Sequence, residues 1–192
     1  MRQTATIAKY ALMTALVAVG TFVVRIPTVA TDGYINLGDA LVLFCGVVFG
    51  PPGGILAGGL GSALADLISG YAHWALPTFL IKGLEGGIAG MLFPVLKKTK
   101  WNRFALSAIA CVVAAVEMIT GYFFASWVMK GNAVVAFTGV PENAIQGGVG
   151  AVLANLLLFA TSRNGAFASV IGKNQFYEEP RHIPPQSNDT QK

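Results

Sequence analysis

The sequence predicts an all-α integral membrane protein, a bundle of six transmembrane helices with an outward-facing ligand pocket. Three observations predict it. Charge is scarce: 13 basic and 9 acidic residues make up 11% of the 192, against about 25% in soluble domains. Apolar residues reach 54% and fall in long runs rather than in alternation, which favours helices over a β-barrel. The charged and amide side chains inside those runs cluster toward one side of the membrane. A chain with so little charge cannot coat a soluble fold, so soluble enzymes, nucleic-acid-binding domains and disordered proteins are excluded.

The first span covers residues 4–24. Arg2 and Lys9 open an apolar stretch longer than a signal-peptide core, and no small-residue cleavage site leads into a soluble domain, so it reads as a retained helix. A loop over 25–37 follows, with Pro27, Asp32, Gly33 and Tyr34. The second span, 38–50, is short and is stopped by Pro51 and Pro52. The third covers 53–70 and the fourth 76–96, ending in the basic cluster Lys97, Lys98, Lys100 and Arg103. The fifth covers 104–128, a loop spans 129–140, and the sixth covers 141–162. Residues 1–165 thus form the membrane domain. Residues 166–192, with Pro180, Pro184 and Pro185, read as a polar cytoplasmic tail, largely disordered.

Orientation follows from the basic residues. With the N-terminus inside, the inner segments carry Arg2, Lys9, Lys97, Lys98, Lys100, Arg103, Arg163, Lys173, Arg181 and Lys192. The outer segments carry only Arg25 and Lys130. Both termini are therefore expected in the cytoplasm. Cys45 and Cys111 sit in apolar runs without metal-ligand spacing and read as buried small hydrophobes.

Charges within the hydrocarbon cost several kcal/mol and usually mark function. At a rise of about 1.5 Å per residue, Asp66, Lys82, Glu85, Asn143 and Gln146 all fall in the outer half. Asp39 stands at the outer start of its span, and Glu117 lies near the midplane. A proton relay or channel would carry polar groups through the full thickness, so this distribution describes a pocket open to the outside. Each residue also has a structural reading. Asp39 follows Asn36 and Gly38, where it caps a helix or meets a ligand. Asp66 bonds nearby backbone or Ser62, or a ligand. Lys82 and Glu85, spaced i,i+3, pair with each other and also touch the ligand, or only pair. Glu117 has no partner within a turn and is the leading single ligand candidate. Tyr34, Tyr71, Trp74, Tyr122 and Trp127 fit an interfacial belt or stack on a flat ligand. The pairs Gly54/Gly58, Gly83/Gly87 and Gly86/Gly90 permit close helix approach. Ala8, Ala11, Ala15 and Ala18 make a small-residue strip on the first helix that either packs internally or docks another membrane protein. The chain has no P-loop, HExxH or GxSxG motif.

The segments Tyr34-Ile-Asn-Leu-Gly-Asp39, Gly50-Pro-Pro-Gly-Gly54, Gly58-Gly-Leu-Gly-Ser-Ala-Leu-Ala-Asp66, Gly70-Tyr71 and Thr78-Phe-Leu-Ile-Lys-Gly-Leu-Glu-Gly86 carry a resemblance. The chain resembles the substrate-binding S components of energy-coupling factor (ECF) vitamin importers, in the branch for riboflavin, hydroxymethylpyrimidine and pyridoxine. The resemblance covers about residues 1–165. It implies a six-helix bundle in a bacterial cell membrane, with a vitamin site on the outer side capped mainly by the first loop. It implies partners: a transmembrane coupling subunit and two cytoplasmic ATPases. ATP is used by those subunits, and no cofactor, metal or catalytic residue is expected in this chain. It implies that the binding subunit topples in the membrane to release vitamin inside. Ala11 and Ala15 match the AxxxA docking motif of these proteins.

Two other classes compete. An autonomous six-span secondary transporter needs an inner polar route or internal repeats. A membrane-embedded enzyme using Asp39, Asp66 or Glu117 needs a catalytic motif. Neither signature is present. The five intramembrane charges, one positive and four negative, disfavour strongly anionic vitamins. Pyridoxine or hydroxymethylpyrimidine is favoured and riboflavin comes next, because few large aromatics are expected at depth.

Overall fold

The computed structural model describes residues 2–28, 33–99 and 101–163. The expected tail over 166–192, and Asp32 of the first loop, lie outside the described residues. Helix α1 (Arg2–Val23) leads into an antiparallel hairpin of β1 (Arg25–Thr28) and β2 (Gly33–Asn36), with Arg25 opposite Asn36 and Thr28 opposite Gly33. Helix α2 (Gly38–Gly54), a π-helical stretch (Ile55–Leu60) and α3 (Gly61–Ile68) follow, then α4 (Ala72–Leu96), α5 (Arg103–Lys130), α6 (Ala133–Phe137) and α7 (Val140–Ser162).

Among the described residues, five stretches are long and apolar enough to cross a membrane, where the sequence leads one to expect six. The difference lies at the expected second and third spans. They join without a loop into one 31-residue stretch, Gly38–Ile68. That stretch is not straight. Gly50 has φ 75° and ψ −173°, a conformation open to glycine and costly for a side chain. A methyl group on Gly54 would lie 2.9 Å from the Gly46 Cα, and one on Gly58 would lie 2.8 Å from Val42 Cγ1. Eight residues along a helix span about 12 Å, so the chain doubles back at Gly50 and its two arms lie side by side.

Helix α4 packs against both arms, and glycines set the distance. A methyl on Gly86 would lie 2.5 Å from the Gly54 carbonyl oxygen, and one on Gly90 would lie 2.6 Å from the Gly50 carbonyl carbon. The small-residue pairs therefore mediate packing within the chain. Val42, Leu43, Val47, Phe93, Ala110, Ala114 and Leu158 fill the core around this contact. The outside of the bundle is apolar, with Leu64, Leu84, Val113, Val116, Val152 and Leu156 exposed, as lipid requires.

Helix α1 is peripheral: 11% of the most apolar 18 residues within Thr4–Val23 are buried, against 67% of those within Gly38–Ile68. Its inner face is Thr14, Val17 and Thr21, which meet Gly61 and Gly38. Ala8, Ala11 and Ala15 are exposed and Ala18 is half-buried, so the strip does not pack inside the chain. The expected loop over 129–140 contains α6. Gly131 ends α5 in the left-handed region, and the Asn132 side chain then accepts from the Val134 and Val135 amides to start the next helix.

Candidate functional site

Helical periodicity brings small polar side chains to one end of the bundle, beneath the hairpin. Ser62 and Asp66 are four apart on α3; Trp74, Thr78 and Lys82 make a stripe on α4; Tyr122 and Ser126 do so on α5. Asn143 and Gln146 share a face of α7, and Thr21 faces in from the end of α1. With Tyr34 and Asn36 of β2, these residues line a cavity of about 60 Å³. That is smaller than the about 300–1,000 Å³ usual for small-molecule sites, so a ring-sized ligand has to part the lining to enter.

The floor is a buried ionic network. The Lys82 ammonium lies 2.5 Å from Asp39 Oδ1 and 2.9 Å from Glu85 Oε2. All three residues are at most 2% exposed. The Gln146 amide donates to both Asp39 oxygens, at 3.2 and 3.1 Å, and its Oε1 accepts from the Asn36 amide at 2.9 Å. The chain Asn36–Gln146–Asp39–Lys82–Glu85 thus ties β2, α7, α2 and α4 together. Asp39 makes no cap bond. The start of α2 is instead met by Asn36 Oδ1, which accepts from the Gly38 amide at 2.8 Å.

The wall is less satisfied. The Tyr34 hydroxyl donates to Asp66 Oδ1 at 2.6 Å, so Asp66 bonds across 32 residues rather than to Ser62. Burial first, then the neighbouring Asp66 charge, pushes the Tyr34 phenol above its usual range, and it therefore remains a donor. Four buried side-chain atoms on this lining have no hydrogen-bond partner: Thr21 Oγ1, Asp66 Oδ2, Trp74 Nε1 and Ser126 Oγ. An unsatisfied buried polar atom costs about 1–3 kcal/mol, and four on one cavity are what a polar ligand would relieve. Aromatic surface lies alongside. The Trp74 and Tyr122 rings are 5.9 Å apart, and Tyr34 packs on Tyr71 at 5.0 Å.

Of the sequence-predicted residues, Tyr34, Asp66, Lys82, Asn143 and Gln146 line the cavity. Asp39 and Glu85 lie behind Lys82. Glu117 is half-buried on α5 with Oε2 unpartnered and is not among the lining residues. Tyr34, Trp74 and Tyr122, placed by the sequence near the outer interface, lie on the lining. Sequence reasoning missed Thr21, Asn36, Ser62, Thr78 and Ser126. The i,i+4 recurrence of 62/66, 74/78/82 and 122/126 was the signal that could have found most of them. Among the described residues no cluster of three His, Cys, Asp or Glu side chains could hold a metal ion. At the opposite end, Ser107 donates to Asn155 at 2.6 Å, which leaves that polar pair internally satisfied.

Known proteins resemble this chain over nearly all of the described residues. A family model described as "ECF-type riboflavin transporter, S component" matches residues 1–163. An "Uncharacterized protein in gap 3'region" of Pyrococcus woesei is 41% identical over 133 residues, 68% of this chain and 86% of that protein. The "Thiamine precursor transporter HmpT" of Lactococcus lactis subsp. cremoris (strain MG1363) is 31% identical over 118 residues, 62% of this chain and 63% of that protein.

Proposed function

Because the chain belongs to the ECF-type riboflavin transporter S component family, and so to a family of membrane transporter subunits rather than enzymes, we propose that its cavity binds a small heteroaromatic vitamin or vitamin precursor. The observation that carries this reading is the lining itself. Unpartnered donors and acceptors (Thr21, Asp66, Trp74 and Ser126) stand beside the aromatic faces of Tyr34, Trp74 and Tyr122. A flat ring with polar edge atoms uses both features. Hydroxymethylpyrimidine is the preferred ligand, supported by the relative named for a thiamine precursor. Riboflavin, supported by the family description, comes next, and the aromatic lining strengthens its case. Pyridoxine rests on ring size and charge alone.

The doubling-back at Gly50 supports reading Gly38–Ile68 as two traverses, which makes six in all. The bias of basic residues supports cytoplasmic termini in a bacterial cell membrane, so the hairpin end faces outward and Tyr34 and Asn36 close over bound vitamin. The exposed Ala8, Ala11 and Ala15, with half-buried Ala18 beside them, are proposed to dock a transmembrane coupling subunit, with two ATPase subunits supplying the energy. A secondary transporter would need a polar route through the inner half, where Ser107 and Asn155 are bonded to each other.

Mass spectrometry of small molecules extracted from the purified full chain tests the reading. A retained, unaltered vitamin or precursor of this class supports it. Absence of any such compound, together with no binding of added hydroxymethylpyrimidine, riboflavin or pyridoxine, rejects it.

A further inference from the structure

Resting on the reading of the cavity as the vitamin pocket, we propose that Asp66 is its specificity-determining acceptor. It selects ligands that present a ring or amino N–H, and Tyr34 is the positioning residue that orients its carboxylate. Asp66 is 4% exposed. One oxygen is occupied by the Tyr34 hydroxyl at 2.6 Å, and the other is buried at the cavity without a partner. The one cation among the described lining residues, Lys82, is already held by Asp39 and Glu85 and is no free counterion for a ligand anion.

Two unpartnered groups on the lining set its polarity, Asp66 with its carboxylate ionised. Asp66 Oδ2 accepts and the Trp74 indole N–H donates, whereas the Thr21 and Ser126 hydroxyls do either. The complementary ligand therefore carries a donor and an acceptor on one rigid frame. A nitrogen heterocycle with an N–H beside a ring nitrogen or carbonyl is such a frame, and aminopyrimidines and the flavin imide edge both have it. A carboxylate or phosphate facing Asp66 would meet like charge with no compensation.

The test uses the full chain in detergent with two probe pairs: riboflavin and 3-methylriboflavin, and hydroxymethylpyrimidine and its 4-dimethylamino analogue. N-methylation removes the donor. Wild type should bind the methylated member of its preferred pair about tenfold more weakly than the parent. Asp66→Asn should lose about tenfold for the parent, and its methylation penalty should shrink to about threefold or less. Tyr34→Phe should lower parent affinity and shrink the same penalty. A merely structural tyrosine would weaken both members alike. Equal binding of parent and methylated ligand by wild type overturns the inference while the pocket reading stands. A penalty unchanged in Asp66→Asn assigns the N–H to another group and overturns it as well. Should Asp66→Asn not fold, Tyr34→Phe decides by the same penalty. Failure of wild type to bind either parent overturns this inference, and failure to bind pyridoxine as well, with no vitamin extracted from the protein, overturns the pocket reading with it.

Discussion

Lys82 shows how one side chain fixes the floor of the candidate site. Its ammonium is shared between Asp39 and Glu85 away from water. Removing one member of a buried ion pair costs about 3–5 kcal/mol, because the partner charge is stranded. Lys82→Met should therefore destabilise the protein by about that amount, read as a lowered unfolding midpoint in detergent. An unchanged midpoint would mean the ammonium contributes no net stability. The pairing with Glu85 was legible in the sequence from the i,i+3 spacing. The pairing with Asp39 was not, because no spacing rule connects positions 43 residues apart. Glu117 illustrates the reverse. Depth and isolation made it the leading candidate, yet depth says nothing about the direction in which a side chain points around its helix. Since Glu117 does not line the cavity, Glu117→Gln should leave ligand affinity within about twofold, a difference below about 0.5 kcal/mol. A larger loss by titration would restore it as a ligand contact.

At the level of elements, glycine decides how closely the two arms of Gly38–Ile68 and α4 can lie. The pairs Gly54/Gly58 and Gly86/Gly90 were legible as close-approach surfaces, and the structure places Gly54 against Gly86 and Gly50 against Gly90. The course of the second and third spans was only half legible. Pro51 and Pro52 marked the break, but proline at the start of a helix is tolerated, and the two helices meet at the single non-helical residue Gly50 with no loop between them. The Gly50 dihedral does the turning. Gly50→Ala should cost about 1–3 kcal/mol from backbone strain, because its dihedrals lie in an essentially glycine-only region, and Gly54→Val should cost more because backbone on α4 cannot yield. If thermal unfolding ranks them in the opposite order, the contact with Gly86 is looser than the geometry indicates. The first loop was legible as a segment over the pocket but not as a hairpin, because Arg25-Ile-Pro-Thr and Gly33-Tyr-Ile-Asn are too short for alternation to declare itself. Its β2 strand contributes Tyr34 and Asn36 to the cavity. Amide exchange at Tyr34–Asn36 should slow on saturation with ligand, and exchange indifferent to ligand would mean that the hairpin does not close over it.

Across the whole molecule, the proposed binding and docking surfaces occupy different faces, and helix α1 carries part of each. Polar side chains gather under the hairpin, as their positions along the spans implied, because a bilayer tolerates them only where protein or water satisfies them. Helix α1 turns Val17 and Thr21 toward α3 and α2 and leaves Ala8, Ala11 and Ala15 outside. Residues 15 and 17 are about 200° apart around a helix, so a bulky group at Ala15 points away from the bundle. In lipid, helices associate through close packing rather than release of water, and small residues permit the approach. A tryptophan there would hold a partner helix off and forfeit many dispersion contacts. Ala15→Trp should therefore leave the unfolding midpoint and vitamin affinity of the isolated chain nearly unchanged. In cells that supply the coupling and ATPase subunits, it should abolish uptake of the vitamin. Persistent uptake would place the docking face elsewhere. Loss of affinity along with uptake would mean that α1 shapes the pocket through Thr21, and that its two faces are not independent.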